Sequence, residues 1–223
     1  KSDIDIMVQT DLNRVWTVRW YMAGFSRVLR LRPNETKFST TPWCAHFFFD
    51  ETSSELGSVA LRNRHQEIID VHLAHLLSVA CIIYDEKDVA EDLLVKNMWV
   101  KNFFRNVHGV YPVPDRRIVV SGFGKLCKSI FEIVHTPSRV EIFLKYVQLW
   151  IMPRELKEKA LQEGNDVIVT DSLLKFHTTD RRREYAKIFF SHFEEFGKQI
   201  HQMEIEEEKL SLWQTQSSAE FLQ

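Results

Sequence analysis

At 223 residues and a net charge of −2, with acids and bases interspersed, the chain has room for one large domain and none of the basic surface that grips a phosphate backbone. Its three cysteines, Cys44, Cys81 and Cys127, lie far apart without the CxxC pairs that a zinc site or redox motif would show, so reduced thiols in an intracellular protein are expected. No apolar run reaches the roughly 18 residues of a membrane span and KSDIDIMVQT has no signal-peptide core, while seven glycines and six prolines give little punctuation for many short strands. A soluble, helix-dominated domain is expected.

In chain order, Asp11 is placed to cap a helix through Leu12, Val15, Trp16, Arg19, Trp20 and Phe25. Arg27, Arg30 and Arg32 lie near its end, where cations suit the helix dipole, and Pro33 and Asn34 stop it. Residues 35–54, with the cluster WCAHFFF, read as an irregular connection against the core. From Leu56 to Tyr84 apolar residues recur at three- and four-residue steps, which predicts one long helix. A second helical pattern runs from Val89 through Leu93, Leu94, Met98, Trp99, Phe103 and Phe104 to a stop at Gly109. GVYPVPDRRIVVSGF gives the hairpin signal, with Val110, Tyr111 and Val113 before Pro114-Asp115 and Ile118, Val119 and Val120 after it. The remainder reads as helices over residues 123–134, 137–151, 154–161 and 167–176, and from Arg181 onwards. Sixteen phenylalanines and six tryptophans, each ring removing about 150 to 250 Å² from water, imply a thick core around a cavity.

The last helix, RRREYAKIFFSHFEEFGKQI, carries Tyr185, Phe189, Phe193, Phe196 and Ile200 as one apolar stripe, with Ala186, Ile188 and Phe190 widening the arc. Burial on two sides within one domain and a subunit interface both account for that width.

No constellation points to catalysis. Glu91 and Asp92 are adjacent on a helix, point about 100° apart, and read as solvated or ion-paired. His72 and His75 have a metal-compatible spacing with no third ligand at a matching distance, and His192 and His201 read as helix-surface residues, so no metal site is expected. Ser121, Gly122 and Gly124 do not form a GxSxG frame, and no glycine-rich phosphate loop exists. The expectation is a protein that is not an enzyme.

The order of these elements is similar to that of the nuclear hormone receptor ligand-binding domain, in the divergent form expanded in nematodes. LAHLLSVACIIYDEKDVAEDLLVKNMWVKNFF, Leu73 to Phe104, resembles the family signature across its third to fifth helices, with Tyr84, Glu91, Asp92 and Trp99 near signature positions. LCKSIFEIVHTPSRVEIFLKYVQLW, Leu126 to Trp150, resembles the seventh and eighth helices, with Glu141 near the usual glutamate, and the RRREYAKIFF segment resembles the tenth. Asp92 replaces the signature glutamine, and Val79 stands where the family places its charge-clamp lysine.

That resemblance implies an all-α fold, a three-layer antiparallel helical sandwich with one small β-hairpin. Residues 1–223 would form a single ligand-binding domain, of which 1–55 are a divergent N-terminal helix and irregular connection. A cavity lined by Ile69, Leu73, Leu76, Leu77, Phe103, Phe104, Val107, Ile118, Phe123 and Leu126 would take a fatty acid or similar lipophile, with no other cofactor. Arg105, Arg116 or Arg117 would either anchor a carboxylate at the hairpin end or stand as solvated charges. Coactivator or corepressor peptides would dock on Val79, Ile83, Leu93, Lys96, Glu220, Phe221 and Leu222. A homo- or heterodimer would form through the last helix with Ile188 and Phe190, and Arg182 or Arg183 would reach Glu141. The resemblance further implies a nuclear transcription regulator that meets DNA only through a domain preceding Lys1, and no membrane. An all-helical protein-interaction scaffold with a solid core and no ligand is the alternative.

Overall fold

Three consecutive phenylalanines, Phe47, Phe48 and Phe49, decide the architecture. On a strand, successive side chains leave opposite faces, so a run buried at every position marks a strand covered on both sides. In the computed structural model, which describes residues 4–29, 43–85, 89–107, 111–112, 118–135, 138–162, 164–177 and 179–195, these rings lie at the centre of strand β2, Trp43–Asp50. Strand β1, Ile4–Thr10, pairs parallel to β2 and is joined to it through helix α1, Val15–Val28. On the other side of β2, β6 (Leu173–Phe176) pairs antiparallel, and β5 (Val167–Val169) closes the order β1-β2-β6-β5.

The expected all-α sandwich is therefore incorrect: the chain is mixed α/β around a four-stranded sheet. WCAHFFF is a central strand rather than a connection, and 167–176 is a hairpin rather than a helix. The long helix expected over 56–84 is also absent. In its place are a 3-10 turn at Leu56–Ser58, an irregular run with an Arg62–Ile68 bridge, helix α2 (Val71–Ser78), and a two-residue strand β3 (Cys81–Ile82). β3 pairs parallel with β4 (Tyr111–Pro112), and the Ile118 amide donates to the Ile83 carbonyl at 2.7 Å; of the expected hairpin, Val110, Val113, Pro114 and Asp115 lie outside the described residues. Helix α3, Val89–Lys96, gives way to a 3-10 turn at Met98–Asn102. Helices α4 (Gly122–His135), α5 (Ser138–Ile151) and α6 (Arg154–Ala160) follow the sequence pattern closely, and α7 covers 182–195. Among the described residues no helix is long and apolar enough to cross a membrane.

The sheet separates two cores. Phe47, Phe49 and Leu173 pack with Leu56, Leu73, Leu77, Leu94, Val100 and Val107 on the side of α2, α3 and the 3-10 turns. Phe48 and Leu174 pack with Val15, Trp16 and Met152 beneath α1, α5 and α6. Buried polar side chains tie distant segments together. Glu141 of α5 accepts hydrogen bonds from the amides of Trp16 (2.7 Å) and Thr17 (2.9 Å), satisfying two of the donors left free in the first turn of α1. Asn97 accepts from the Leu56 amide at 2.8 Å and donates to the Ser54 and Leu93 carbonyls, holding the two 3-10 turns in place.

Candidate functional site

Two regions carry more polar or apolar chemistry than the fold alone requires. The first is a polar band at one end of the sheet, on the α2 and α7 face. β1 and β2 keep register until Ile6↔Ala45, after which Met7 faces Phe47, so His46 is an extra residue, a β-bulge. A bulge breaks strict alternation. Ala45 and Phe48 face the α1 core, whereas Phe47 and Phe49 face the other, and the His46 ring stacks on His177 at 5.4 Å on that second side. His177 stacks in turn on His72 at 5.5 Å, and His72 lies 5.5 Å from Tyr185 of α7.

Beside this row lies a buried charge network. Asp166, just before β5, is in ion-pair contact with Lys175 of β6 at 2.5 Å and with Arg182 Nε at 3.1 Å, and lies 3.0 Å from His177 Nδ1. Arg182 also reaches Asp180 at 2.9 Å and Asp70 at 3.4 Å, and donates to the Gly164 carbonyl. Asp70 caps α2 through the Leu73 amide and accepts from the Leu61 amide. Burial alone would raise the Asp166 carboxyl. The His177 hydrogen bond and the Lys175 and Arg182 charges outweigh it and hold that group below its ordinary value. Burial opposes charge on Arg182 as well, yet Asp180, Asp166 and Asp70 raise its pKa further. Burial, with His177 and Lys175 acting in the same direction, lowers His72; His46 is lowered by burial against the opposing charge of Asp5. Chemically, the band offers imidazoles and a carboxylate-oriented histidine, and the network ties α7 to the sheet and to the start of α2.

The second region is the outer surface of α1, α4 and α5. Trp150 is 82% exposed and Phe123 77%, with Phe143, Tyr146, Ile130 and Ile133 also exposed. The Tyr21 ring meets Phe131 edge-on at 5.5 Å, joining the α1 and α4 surfaces. Along α1 an open groove of about 470 Å³ is lined by Trp20, Tyr21, Met22, Gly24, Phe25 and Val28. Gly24 leaves open space where a side chain would stand.

The residues expected to line a ligand cavity do not converge. Leu73, Leu77 and Val107 are buried, and Phe103 and Phe104 half-buried, within the core under Phe47 and Phe49. Ile69 and Leu76 are half-buried. Ile118, Phe123 and Leu126 are exposed on other segments. Of the expected coregulator groove, Val79 and Ile83 are exposed, Leu93 packs against the core, and Lys96 pairs with Asp92 at 2.6 Å. Glu220, Phe221 and Leu222 lie outside the described residues, as do Arg116 and Arg117, and Arg105 is exposed. Ile188 and Phe190 are exposed on α7, Phe190 resting beside the Phe103 and Phe189 rings. Arg182 is 2% exposed, but its partners are the three aspartates, while Glu141 caps α1 instead.

Asp5, His46, Asp70, Asp166, Lys175, His177 and Asp180 escaped the sequence reading because they come from separate segments with no linear motif. Two local signals were available: the alternation in DIDIMVQT and the C-x-H of β2. Compared with known proteins, the chain matches no family model, no curated sequence and no solved structure.

Proposed function

We propose that this protein is an interaction module that docks an acidic amphipathic helix on the outer face of α1, α4 and α5. The carrying observation is the exposure of large apolar side chains on all three helices, with Phe25 and Tyr21 on α1, Phe131 on α4 meeting Tyr21, and Trp150 on α5. Exposed apolar patches beyond about 300 to 600 Å² on a folded surface mark contact sites. A groove along one helix, with aromatic walls and an open floor at Gly24, suits the i, i+3, i+4, i+7 anchors of a partner helix. Charge selects the occupant. On α1 Arg27 is exposed and there is no acid, Arg19 being turned inward onto Gln148 and Phe176; Lys125 and Arg139 are exposed at the starts of α4 and α5, and Glu132 of α4 is paired with Lys128.

A ligand-sensing receptor, the function implied by the family resemblance, has less support. Its cavity was to be enclosed by helical layers, and the residues assigned to it divide between a packed core and exposed positions.

The test compares two synthetic helices with the same Leu/Phe face, one flanked by glutamate and one by lysine, titrated against the full chain by fluorescence anisotropy. Saturable binding of the acidic helix, lost in Phe25→Glu and weakened in Lys125→Glu, supports the reading. Equal binding of both helices, or acidic-helix binding indifferent to Phe25→Glu, overturns it. Sedimentation showing a dimer that Phe25→Glu dissociates would assign the face to a second copy instead.

A further inference from the structure

Where β1 begins, Asp5 stands directly opposite Cys44 in the parallel register, and the bulge two residues on sets His46 beside them. One ligand atom from each, a carboxylate oxygen, a sulfur and an imidazole nitrogen, lies within 4.8 Å of the other two. A second observation concerns His46 itself. The residue is 8% exposed, and its buried Nδ1 makes no well-formed hydrogen bond, with Asp5 Oδ1 at 3.5 Å and the Cys44 backbone beside the ring. Buried polar atoms are nearly always satisfied, so a nitrogen left this way beside a thiol and a carboxylate asks for an electrophile.

We infer that Asp5, Cys44 and His46 bind a zinc ion, with the fourth position open to water. A donor set of sulfur, nitrogen and oxygen favours zinc over magnesium or calcium, which take oxygen. Bonds of about 2.0 to 2.3 Å around tetrahedral zinc place ligand atoms roughly 3.3 to 3.8 Å apart; His46 and Asp5, at 3.5 Å, already meet that spacing, and the Cys44 sulfur, within 4.8 Å of both, reaches it through a small rotamer change. Binding replaces the Cys44 thiol proton with the metal and releases that proton to solvent. The half-exposed Asp5 carboxylate marks the side from which the ion enters. One of the two ligands on β2, His46, is itself the bulged residue that a regular strand would lack, and a metal bond to Asp5 would fasten the β1 edge at that point. This inference is independent of the docking face, which lies against the opposite side of the sheet.

The full chain, stripped with chelator, is titrated with cobalt(II) as a spectroscopic substitute and then with zinc. Expected are one cobalt per chain, a thiolate-to-cobalt charge-transfer band in the near ultraviolet, and its loss when zinc is added. Cys44→Ser should remove the band, and the Cys81→Ser, Cys127→Ser double variant should keep it. His46→Gln and Asp5→Asn should each weaken binding by about 10 to 100-fold or more, since even groups behind the ligands cost that much. Should Cys44→Ser not fold, zinc protection of Cys44 from iodoacetamide in the wild-type chain, read by mass spectrometry, decides the same point. A wild type without the band, a band surviving Cys44→Ser, or a band lost only with Cys81 and Cys127 overturns the assignment.

Discussion

The two sides of the sheet dispose of their chemistry in opposite ways. On the α2 and α7 side, charge is taken out of water and matched: Arg182, Lys175, Asp166 and Asp70 are all buried, each within ion-pair distance of an opposite charge. On the α1 and α5 side, the inner core is equally dry, but the outer helical surface leaves tryptophan and phenylalanine in water. The first side has met its partners within the chain, so changes there should appear as lost stability. The second side should respond in binding and hardly at all in stability.

The sharpest way to break that comparison is a pair of variants. Arg182→Met leaves Asp70 and Asp166 without their shared cation and should cost about 3 to 5 kcal/mol in urea unfolding. Trp150→Ser should stay within about 0.5 kcal/mol of wild type while altering helix binding. Equal losses from the two would erase the distinction. A smaller effect is expected where the α1 side does use a buried charge. Glu141→Ala strips two amide hydrogen bonds from the start of α1 and should cost about 1 to 3 kcal/mol, and circular dichroism should register the weakened helix.

The pH dependence should be the mildest effect near neutrality. Burial, then His177 and Lys175, lower His72, so as pH falls the unfolded chain takes up a proton that the folded chain resists. The contribution of His72 to stability is therefore complete above an unfolded pKa of about 6.5 and lost as pH falls toward its depressed folded value. Denaturant midpoints measured in chelator should decline as pH falls below about 6.5, and His72→Gln should flatten that slope. Asp166, also lowered, has the same sign further down: its contribution is present above about pH 4 and lost on stronger acidification. A midpoint that rises on acidification would reverse this account of the polar side.

The same division explains what the sequence disclosed. Helices α4, α5 and α6 were legible because their apolar spacing is regular and local. The strands were not, for particular reasons. Phe47 to Phe49 form an unbroken apolar run, and periodicity alone does not distinguish a strand buried on both faces from a segment tucked against a core. In VIVTDSLLKF the strands are three and four residues long, too short to show alternation, and Thr170-Asp171-Ser172 was the turn signal between them. Asp70 sits inside what reads as one helical pattern from Leu56 to Tyr84, yet it is the cap where α2 starts. The charge network was less legible still, since pairing Arg182 with Asp70 requires knowing that 112 residues fold back on themselves.

That folding back sets an order of events during synthesis. Strand β2 is made early, but its antiparallel neighbour places Leu174 opposite Phe48, and the carboxylate that caps α1 arrives 125 residues after the Trp16 amide it receives. At about 5 to 20 residues per second, a ribosome needs roughly 6 to 25 seconds to deliver those groups. Until then Phe48 lacks Leu174 and the strand edge that β6 pairs stays open, even though segment 56–107 already supplies cover for Phe47 and Phe49. Contacts so distant in sequence also slow the search for the native pairing. The nascent β1-α1-β2 segment is therefore a natural client for a chaperone that holds apolar strands, and chains halted before residue 173 should aggregate rather than fold.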